Sequence, residues 1–349
     1  MAPPLAVTMG EPAGIGPDLL WRLWRDRDRH ALPVFVWIAP PALARARLPQ
    51  GPFKSIAQPG EAEEIFADHL PLFWPSGNGE PEADLVARLV PGRPDPALAP
   101  WVASAIETAV ALARRHEVSG IVTLPIQKAT LAAGGFSFPG HTEFLAHLSG
   151  LRPADVAMMF VLEALRVVPL TIHCPLAEVP ARITPALLRR RITATHRALV
   201  HDFAVPAPRI AIAGLNPHAG EEGMLGDEEI RLIAPVVARL REEEGMDLTG
   251  PLPADSLFAA PMRSRFDAIV AMYHDQALIP IKTLDFSRAV NVTLGLPFVR
   301  SSPDHGTALD LVGSDRADPG SLLAALRLAA SMAEHRSRMP AAMGGQTVP

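Results

Sequence analysis

The chain has 349 residues, 48% of them hydrophobic, and a net charge of -5 at pH 7. That length leaves room for two domains with sizeable cores, and the apolar content argues against a disordered chain. The mild negative charge, with no long basic run, argues against bulk affinity for nucleic acid, and no uninterrupted apolar stretch reads as long enough to cross a bilayer.

The chain opens MAPPLAVTMGEPAG, without the basic and long apolar regions of a signal peptide. PLAVTM reads as a strand, GEPAGIG as a glycine-bearing turn, and PDLLWRLWRD as a helix with Pro17 in its first turn. GEPAGIG could cradle an anion at the helix start or simply make a tight strand-to-helix turn. VFVWIA reads as a second strand. From about Pro49 to Pro100 the chain is rich in Pro, Gly and acidic residues and reads as loops with short strands. APWVASAIETAVALARRH has the spacing of an amphipathic helix, and GIVTLPI after it that of a strand. In GDEEIRLIAPVVARLREEEG, Asp227 is placed to cap the helix, Glu228 and Glu229 suit the positive end of its dipole, and Gly245 can stop it. DPGSLLAALRLAASMAEHR is a last helix, and the final residues read as a loose tail. Alternation of strand and helix predicts an α/β fold of mostly parallel sheets covered by helices, in two lobes joined by several crossings.

Three apolar runs end in histidine: LRVVPLTIH at His173, RIAIAGLNPH at His218 and FDAIVAMYH at His274. β-Branched runs of this kind read as buried parallel strands, and the residue beyond each sits at the carboxyl edge where open α/β folds place ligands. Three imidazoles delivered to that edge can share one metal ion and leave a position open for substrate, as catalytic sites do. A lone histidine at a strand end is more often structural or merely exposed; the shared placement of three favours a site. Asp275 and Asp255 are placed to orient an imidazole or touch a substrate, or else to cap a helix or turn. Cys174, the single cysteine, excludes an internal disulfide and suits a reducing cytoplasm. Beside His173 it reads as a small buried residue rather than a ligand or nucleophile.

Basic residues are nearly all arginine, so the three lysines, Lys54, Lys128 and Lys282, stand out, as do the only tyrosine, Tyr273, and the three asparagines, Asn78, Asn216 and Asn291. Lys128 follows the strand GIVTLPI. Lys282, Asn291 and Arg300 are evenly spaced through PIKTLDFSRAVNVTLGLPFVRSS. Two cations and an amide in an apolar, Pro/Gly-rich setting suit an anionic substrate bearing phosphate or carboxylate, against the ordinary reading of solvated surface charge. In GHTEF, Thr142 or His141 could cap a helix whose exposed amides accept an anion. SPDHGTALDLVG reads alone as a loop. No G-x-G-x-x-G follows a strand, so nothing supports an ordinary Rossmann dinucleotide site.

Taken together, TMGEPAGIGPD, GHTEF, TIHCPL, GLNPHAGEEGMLGDEEI, GPLPADSLF, AMYHDQALIPIK, VNVTLGLPFVRSSPDHGTALDLVG and the DPGSLLAALRLA helix resemble the 4-hydroxythreonine-4-phosphate dehydrogenase family of vitamin B6 biosynthesis. The resemblance implies a homodimer of two-lobed α/β/α subunits, similar to isocitrate and isopropylmalate dehydrogenases, with the active site in the interlobe cleft. Residues 1–150 with about 295–349 would form the cofactor-side lobe, and about 151–294 the metal-side lobe. It implies a divalent metal (zinc, magnesium or cobalt) on His173, His218 and His274, and substrate contacts at His141, Thr142, Lys282, Asn291 and Arg300. Lys128, Asp255 and Asp275 would handle protons or support the ligands. The H-G-[ST]-A-x-D loop of isopropylmalate relatives carries over as His305, Gly306, Thr307, Ala308 and Asp310 against NAD or NADP. Two departures bear on the substrate: Gln127, where many members have histidine, and bulky Ile279 after YHDQ. The implied reaction oxidises the 3-hydroxyl of 4-phosphooxy-L-threonine to a β-keto acid that decarboxylates to 3-amino-2-oxopropyl phosphate. Phosphoerythronate or phosphothreonate is the alternative substrate of the same class. A metal-dependent hydrolase or lyase without a redox cofactor, or a non-catalytic metal-binding protein, is the alternative of another class.

Overall fold

The computed structural model describes residues 3–314 and 316–338; the expected loose tail lies outside them. In chain order the strands are β1 Leu5–Thr8, β2 Phe35–Ile38, β3 Phe53–Ser55, β4 Leu70–Phe73, β5 Gly120–Val122, β6 Ala157–Leu162, β7 Leu165–Pro169, β8 Arg209–Ala213, β9 Asp247–Leu252, β10 Ala268–Ala271, β11 Val290–Leu294 and β12 Val299–Pro303. The helices that matter below are α1 Gly16–Arg25, α2 Ala99–Arg114, α3 Lys128–Ala133, α4 His141–Leu148, α5 Pro185–His201, α6 Ala234–Glu244, α7 His274–Leu284 and α8 Gly320–Arg338. The described residues divide into two compact units, 3–151 with 296–334 and 152–295 with 335–338.

In the first unit six strands run in the order β3-β4-β2-β1-β5-β12, every pairing parallel. β1, β2 and β4 are buried along their whole length, as continuous apolar runs covered on both faces must be. α1 buries Leu19, Leu20, Leu23 and Trp24, one stripe at helical spacing, and each such side chain contributes roughly 1.5–3 kcal/mol. Pro96–Arg114, which contains α2, is long and apolar enough by composition to span a membrane. It is 56% buried and packs on β1, β2 and β5, as a core helix does, so this stretch departs from the sequence expectation of no such run. The first turn needs its glycine: Gly10 has φ +66°, and a Cβ there would lie 2.6 Å from Leu124 Cβ.

In the second unit the order is β11-β6-β7-β10-β8-β9. β7, β10, β8 and β9 are parallel, while β6 pairs antiparallel with both β7 and β11. The antiparallel pair comes from a tight hairpin between β6 and β7. Phe160, Val167, Ala211, Ile269, Ala277 and Ile281 belong to one core, so α7 is seated on the sheet beneath the strands it follows. Asp227 does not cap its helix. Its carboxylate accepts Arg231 Nε at 2.8 Å, and a wider π turn, Glu229–Ile233, precedes α6. Gly245 does end α6, in the left-handed conformation.

Candidate active site

In the second unit the three histidines follow three neighbouring parallel strands. His173 lies in the loop past β7, His218 in the turn past β8, and His274 is the first residue of α7, just past β10. None lies on its strand: β7, β8 and β10 stop at Pro169, Ala213 and Ala271. The chain beyond the strands stays tied across the edge. Leu170 N donates to Ala271 O at 2.7 Å, and Thr171 Oγ1 to Met272 O at 2.8 Å. Gln276 of YHDQ bolts two strand ends together, its Oε1 accepting Met272 N at 2.6 Å and its Nε2 donating to Gly214 O at 2.8 Å.

These ties bring the His173 and His274 rings to 5.8 Å between centroids. Two imidazoles sharing a tetrahedral ion through N–metal bonds of about 2.0–2.1 Å have centroids roughly 5 Å apart. Asp275 Oδ1 lies 2.7 Å from His274 Nδ1, which leaves Nε2 for a ligand. His218 sits on the adjacent strand end, yet among the described residues no group of three His, Cys, Asp or Glu side chains is drawn together closely enough to hold a metal. The donor type, the shared edge and the 5.8 Å pair fit a divalent cation.

Two of the three histidines have unusual backbones. His173 has φ +50°. His218 begins five consecutive left-handed residues, His218–Glu222, with φ of 52°, 53°, 85°, 43° and 54°. Each of the four that are not glycine costs about 1–2 kcal/mol in that region. Gly220 fits because a Cβ there would meet Gly226 O at 2.6 Å. Lys282, exposed on α7, lies over the Phe286 ring at 5.4 Å, and Asn291, half-buried on β11, has its Oδ1 buried without a hydrogen-bond partner among the described residues. Asp255 is exposed in the short helix Ala254–Leu257.

A second cluster lies at the carboxyl end of the first unit's sheet. Arg300, on β12, is only 3% exposed and donates from Nη2 to Thr123 Oγ1 at 2.6 Å. Burial lowers its pKa to about 10, so it stays charged at neutral pH. His141 and Thr142 are the first two residues of α4, and Gly140, not either of them, occupies the cap position. Lys128, exposed at the start of α3, packs its Cε 3.3 Å from where a Gly140 Cβ would stand. Burial pushes the His141 pKa well below 6.5, and the charges of Arg300 and Lys128 push it further the same way. Its Nε2 is buried without a hydrogen-bond partner among the described residues. A neutral imidazole with a free nitrogen, a buried guanidinium and an ammonium form a place for an anion.

The loop His305–Asp310 follows β12 and packs on the opening turn. Ile15 N donates to Thr307 O at 3.0 Å, and Gly313 N to Asp18 Oδ2 at 3.3 Å. Gly14 stands against Thr307, so GEPAGIG works as a tight turn supporting that loop. Arg47, buried, stitches the turn from behind through Pro12 O, Gly14 O and Asp18 Oδ2. Ala308 is left-handed, Asp310 is exposed, and His305 Nε2 is buried without a hydrogen-bond partner among the described residues.

A family model described as "Pyridoxal phosphate biosynthetic protein PdxA" matches residues 33–329. The chain belongs to that family. It is 49% identical over 334 residues to the 4-hydroxythreonine-4-phosphate dehydrogenase of Ruegeria sp. (strain TM1040), covering 95% of this chain and 97% of that one. It is likewise 49% identical over 351 residues to the enzyme of that name from Paracoccus denitrificans (strain Pd 1222), covering 96% and 99%. The crystal structure of 4-hydroxythreonine-4-phosphate dehydrogenase from Klebsiella pneumoniae superposes with a TM-score of 0.83 at 37% identity, over 95% of this chain and 98% of that one. Within this PdxA frame, sequence reasoning passed over Thr123, Arg47 and the support role of Glu229. Arg47 and Glu229 each left a signal: a charged residue standing in a stripe otherwise filled by buried apolar side chains.

Proposed function

We propose that this chain oxidises the 3-hydroxyl of 4-phosphooxy-L-threonine with NAD or NADP in a divalent-metal-dependent reaction. The β-keto acid formed loses carbon dioxide to give 3-amino-2-oxopropyl phosphate for pyridoxal phosphate biosynthesis. The observation that carries this reading is the near-full-length likeness to dehydrogenases named for that substrate.

His173, His218 and His274 would hold the cation, with Asp275 fixing the His274 ring through Nδ1. When bound, a divalent cation supplies a positive charge that eases deprotonation of an alcohol and steadies negative charge as carbon dioxide departs. A bound nicotinamide supplies the hydride acceptor. The chain's own groups bind, orient and move protons. Arg300 offers a fixed positive charge to an anionic end of the substrate, aimed by Thr123. Lys282 offers a second charge, and Asn291 Oδ1 an acceptor for a substrate donor. Neutral His141, with Thr142, can hydrogen-bond substrate without adding charge. Lys128, beside it, is the candidate for giving a proton to carbon after carbon dioxide leaves, and Asp255 or Asp275 for taking the hydroxyl proton. The loop His305, Gly306, Thr307, Ala308 and Asp310 is assigned to the nicotinamide cofactor, and its buried, unpartnered His305 Nε2 supports that assignment.

We assign the chain to the cytoplasm, on its lone cysteine and biosynthetic role. We also read it as a homodimer. Ile279, Leu284 and Phe286 are large apolar side chains left exposed on and after α7, with Ile279 63% and Phe286 65% exposed. Light scattering should return twice the 37.3 kDa chain mass; a monomer at micromolar concentration would remove that assignment.

The functional test follows reduced-cofactor absorbance across 4-phosphooxy-L-threonine, 4-phosphoerythronate and phosphothreonate. The highest kcat/KM is expected on the first. Faster turnover of either sugar acid, or no saturable nicotinamide binding, would overturn the assignment.

A further inference from the structure

We propose that Glu229 is a positioning residue that locks the left-handed turn carrying His218 and so holds that imidazole ready for the divalent cation. The inference rests on the assignment of His218 as a ligand. Glu229 is a carboxylate where an apolar side chain belongs: it is 2% exposed and shares its buried face with Leu232 and Ile233. A buried charge is tolerated when donors converge on it, and here every donor comes from one stretch of chain. Oε1 accepts Leu215 N at 2.7 Å and Asn216 N at 2.8 Å, and Oε2 accepts Asn216 Nδ2 at 3.0 Å. Glu228 Oε2 takes the same Asn216 amide at 2.8 Å.

Leu215 and Asn216 lead directly into the strained run His218–Glu222. The carboxylate also backs the middle of that run. A Cβ on Gly220 would lie 2.8 Å from Glu229 Oε2, and one on Gly214 3.1 Å from Oε1 and 3.0 Å from Ala219 Cα. Glu229 therefore fixes the entry to the turn and forms the wall against which it closes. A carboxylate only accepts, which matches three donors; an amide in its place would turn an N–H against one of them. Backbone held in a sparsely populated region persists only where its surroundings over-determine it, and such supports cluster at ligand-holding sites. Groups that orient a ligand imidazole typically change metal affinity by about 10- to 100-fold when removed.

The experiment uses the full-length, metal-stripped chain and cobalt(II) as the probe. Glu229→Gln should weaken the cobalt Kd by about 10-fold or more and alter the visible cobalt absorption at saturation. Amide hydrogen exchange over residues 215–222 should quicken while the rest of the second unit keeps its protection. Asn216→Ala, which keeps both backbone donors to Glu229, should show the same changes more weakly and serves if Glu229→Gln does not fold. Unchanged exchange over 215–222 in the metal-free protein would overturn the anchor. A lower melting temperature with cobalt Kd and spectrum intact would reduce Glu229 to a purely structural role and overturn the positioning claim. His218→Ala separates the two readings: if it leaves the cobalt Kd untouched, the ligand assignment fails, whatever the exchange arm reports.

Discussion

At the scale of single residues, several polar groups stand where apolar ones would be cheaper to bury. Arg300 stands in a strand whose five residues are all buried, and its Nη2 donates to the Thr123 hydroxyl. Truncating a charged, buried hydrogen-bonding group costs about 1.5–3 kcal/mol. Arg300→Ala should therefore lower kcat/KM on the phosphorylated substrate by roughly 10- to 100-fold, with a smaller loss on an unphosphorylated analogue. Equal losses on both would refute an anion-binding role. His141 carries a pH prediction. Its folded pKa lies well below 6.5, as burial and the Arg300 and Lys128 charges dictate, and those of His305 and His196 are also lowered. As pH falls through about 6.5 the unfolded chain takes up protons at these histidines and the folded chain does not. Stability should accordingly decline on acidification from pH 7.5 to 5.5 in chelator-treated protein, and His141→Gln should flatten the slope. A melting temperature that rises over that range would contradict the assignment.

Elements carry the geometry that single residues use. Long, strongly patterned segments were legible in the sequence: α1, α2, α8 and the strands β1, β2, β8 and β10 fall where periodicity puts them. The shared edge of His173, His218 and His274 was legible too, since it needs only that three apolar runs be neighbouring parallel strands. What could not be read was decided by tertiary contacts. The antiparallel hairpin of β6 and β7 looks like any apolar stretch until its partner is known. Asp227 has the right residue type for a cap, but Arg231 one turn on competes for its carboxylate. The left-handed run after Pro217 has one glycine in five residues, and sequence gives no warning of such a backbone. Gln276 shows how an unremarkable side chain can join elements. Gln276→Ala removes the link between the β10 and β8 ends, so cobalt affinity measured by titration should fall several-fold, with far-ultraviolet circular dichroism unchanged. Unaltered affinity would mean the sheet alone sets the spacing. Gly10→Ala, strained at φ +66° and crowded by Leu124, should destabilise by about 2 kcal/mol or more in urea unfolding; a neutral effect would show that the turn can rearrange.

At the scale of the whole molecule, the candidate residues fall in two compact units. One bears the histidines with Lys282 and Asn291, and the other bears Lys128, His141, Arg300 and the loop beginning at His305. Each unit shows one shared device: a buried charged residue, Glu229 in one and Arg47 in the other, ties down a turn that follows a parallel strand. The PdxA family likeness spans both units, so the activity assigned here belongs to the chain as a whole. The most direct measurement follows reduced-cofactor absorbance with 4-phosphooxy-L-threonine on metal-stripped protein that is then titrated with cobalt(II). The account predicts no turnover without metal, full recovery at about one cation per chain, and no recovery in His218→Ala. Undiminished cofactor reduction by the stripped enzyme, or full metal-restored activity in that variant, would contradict it.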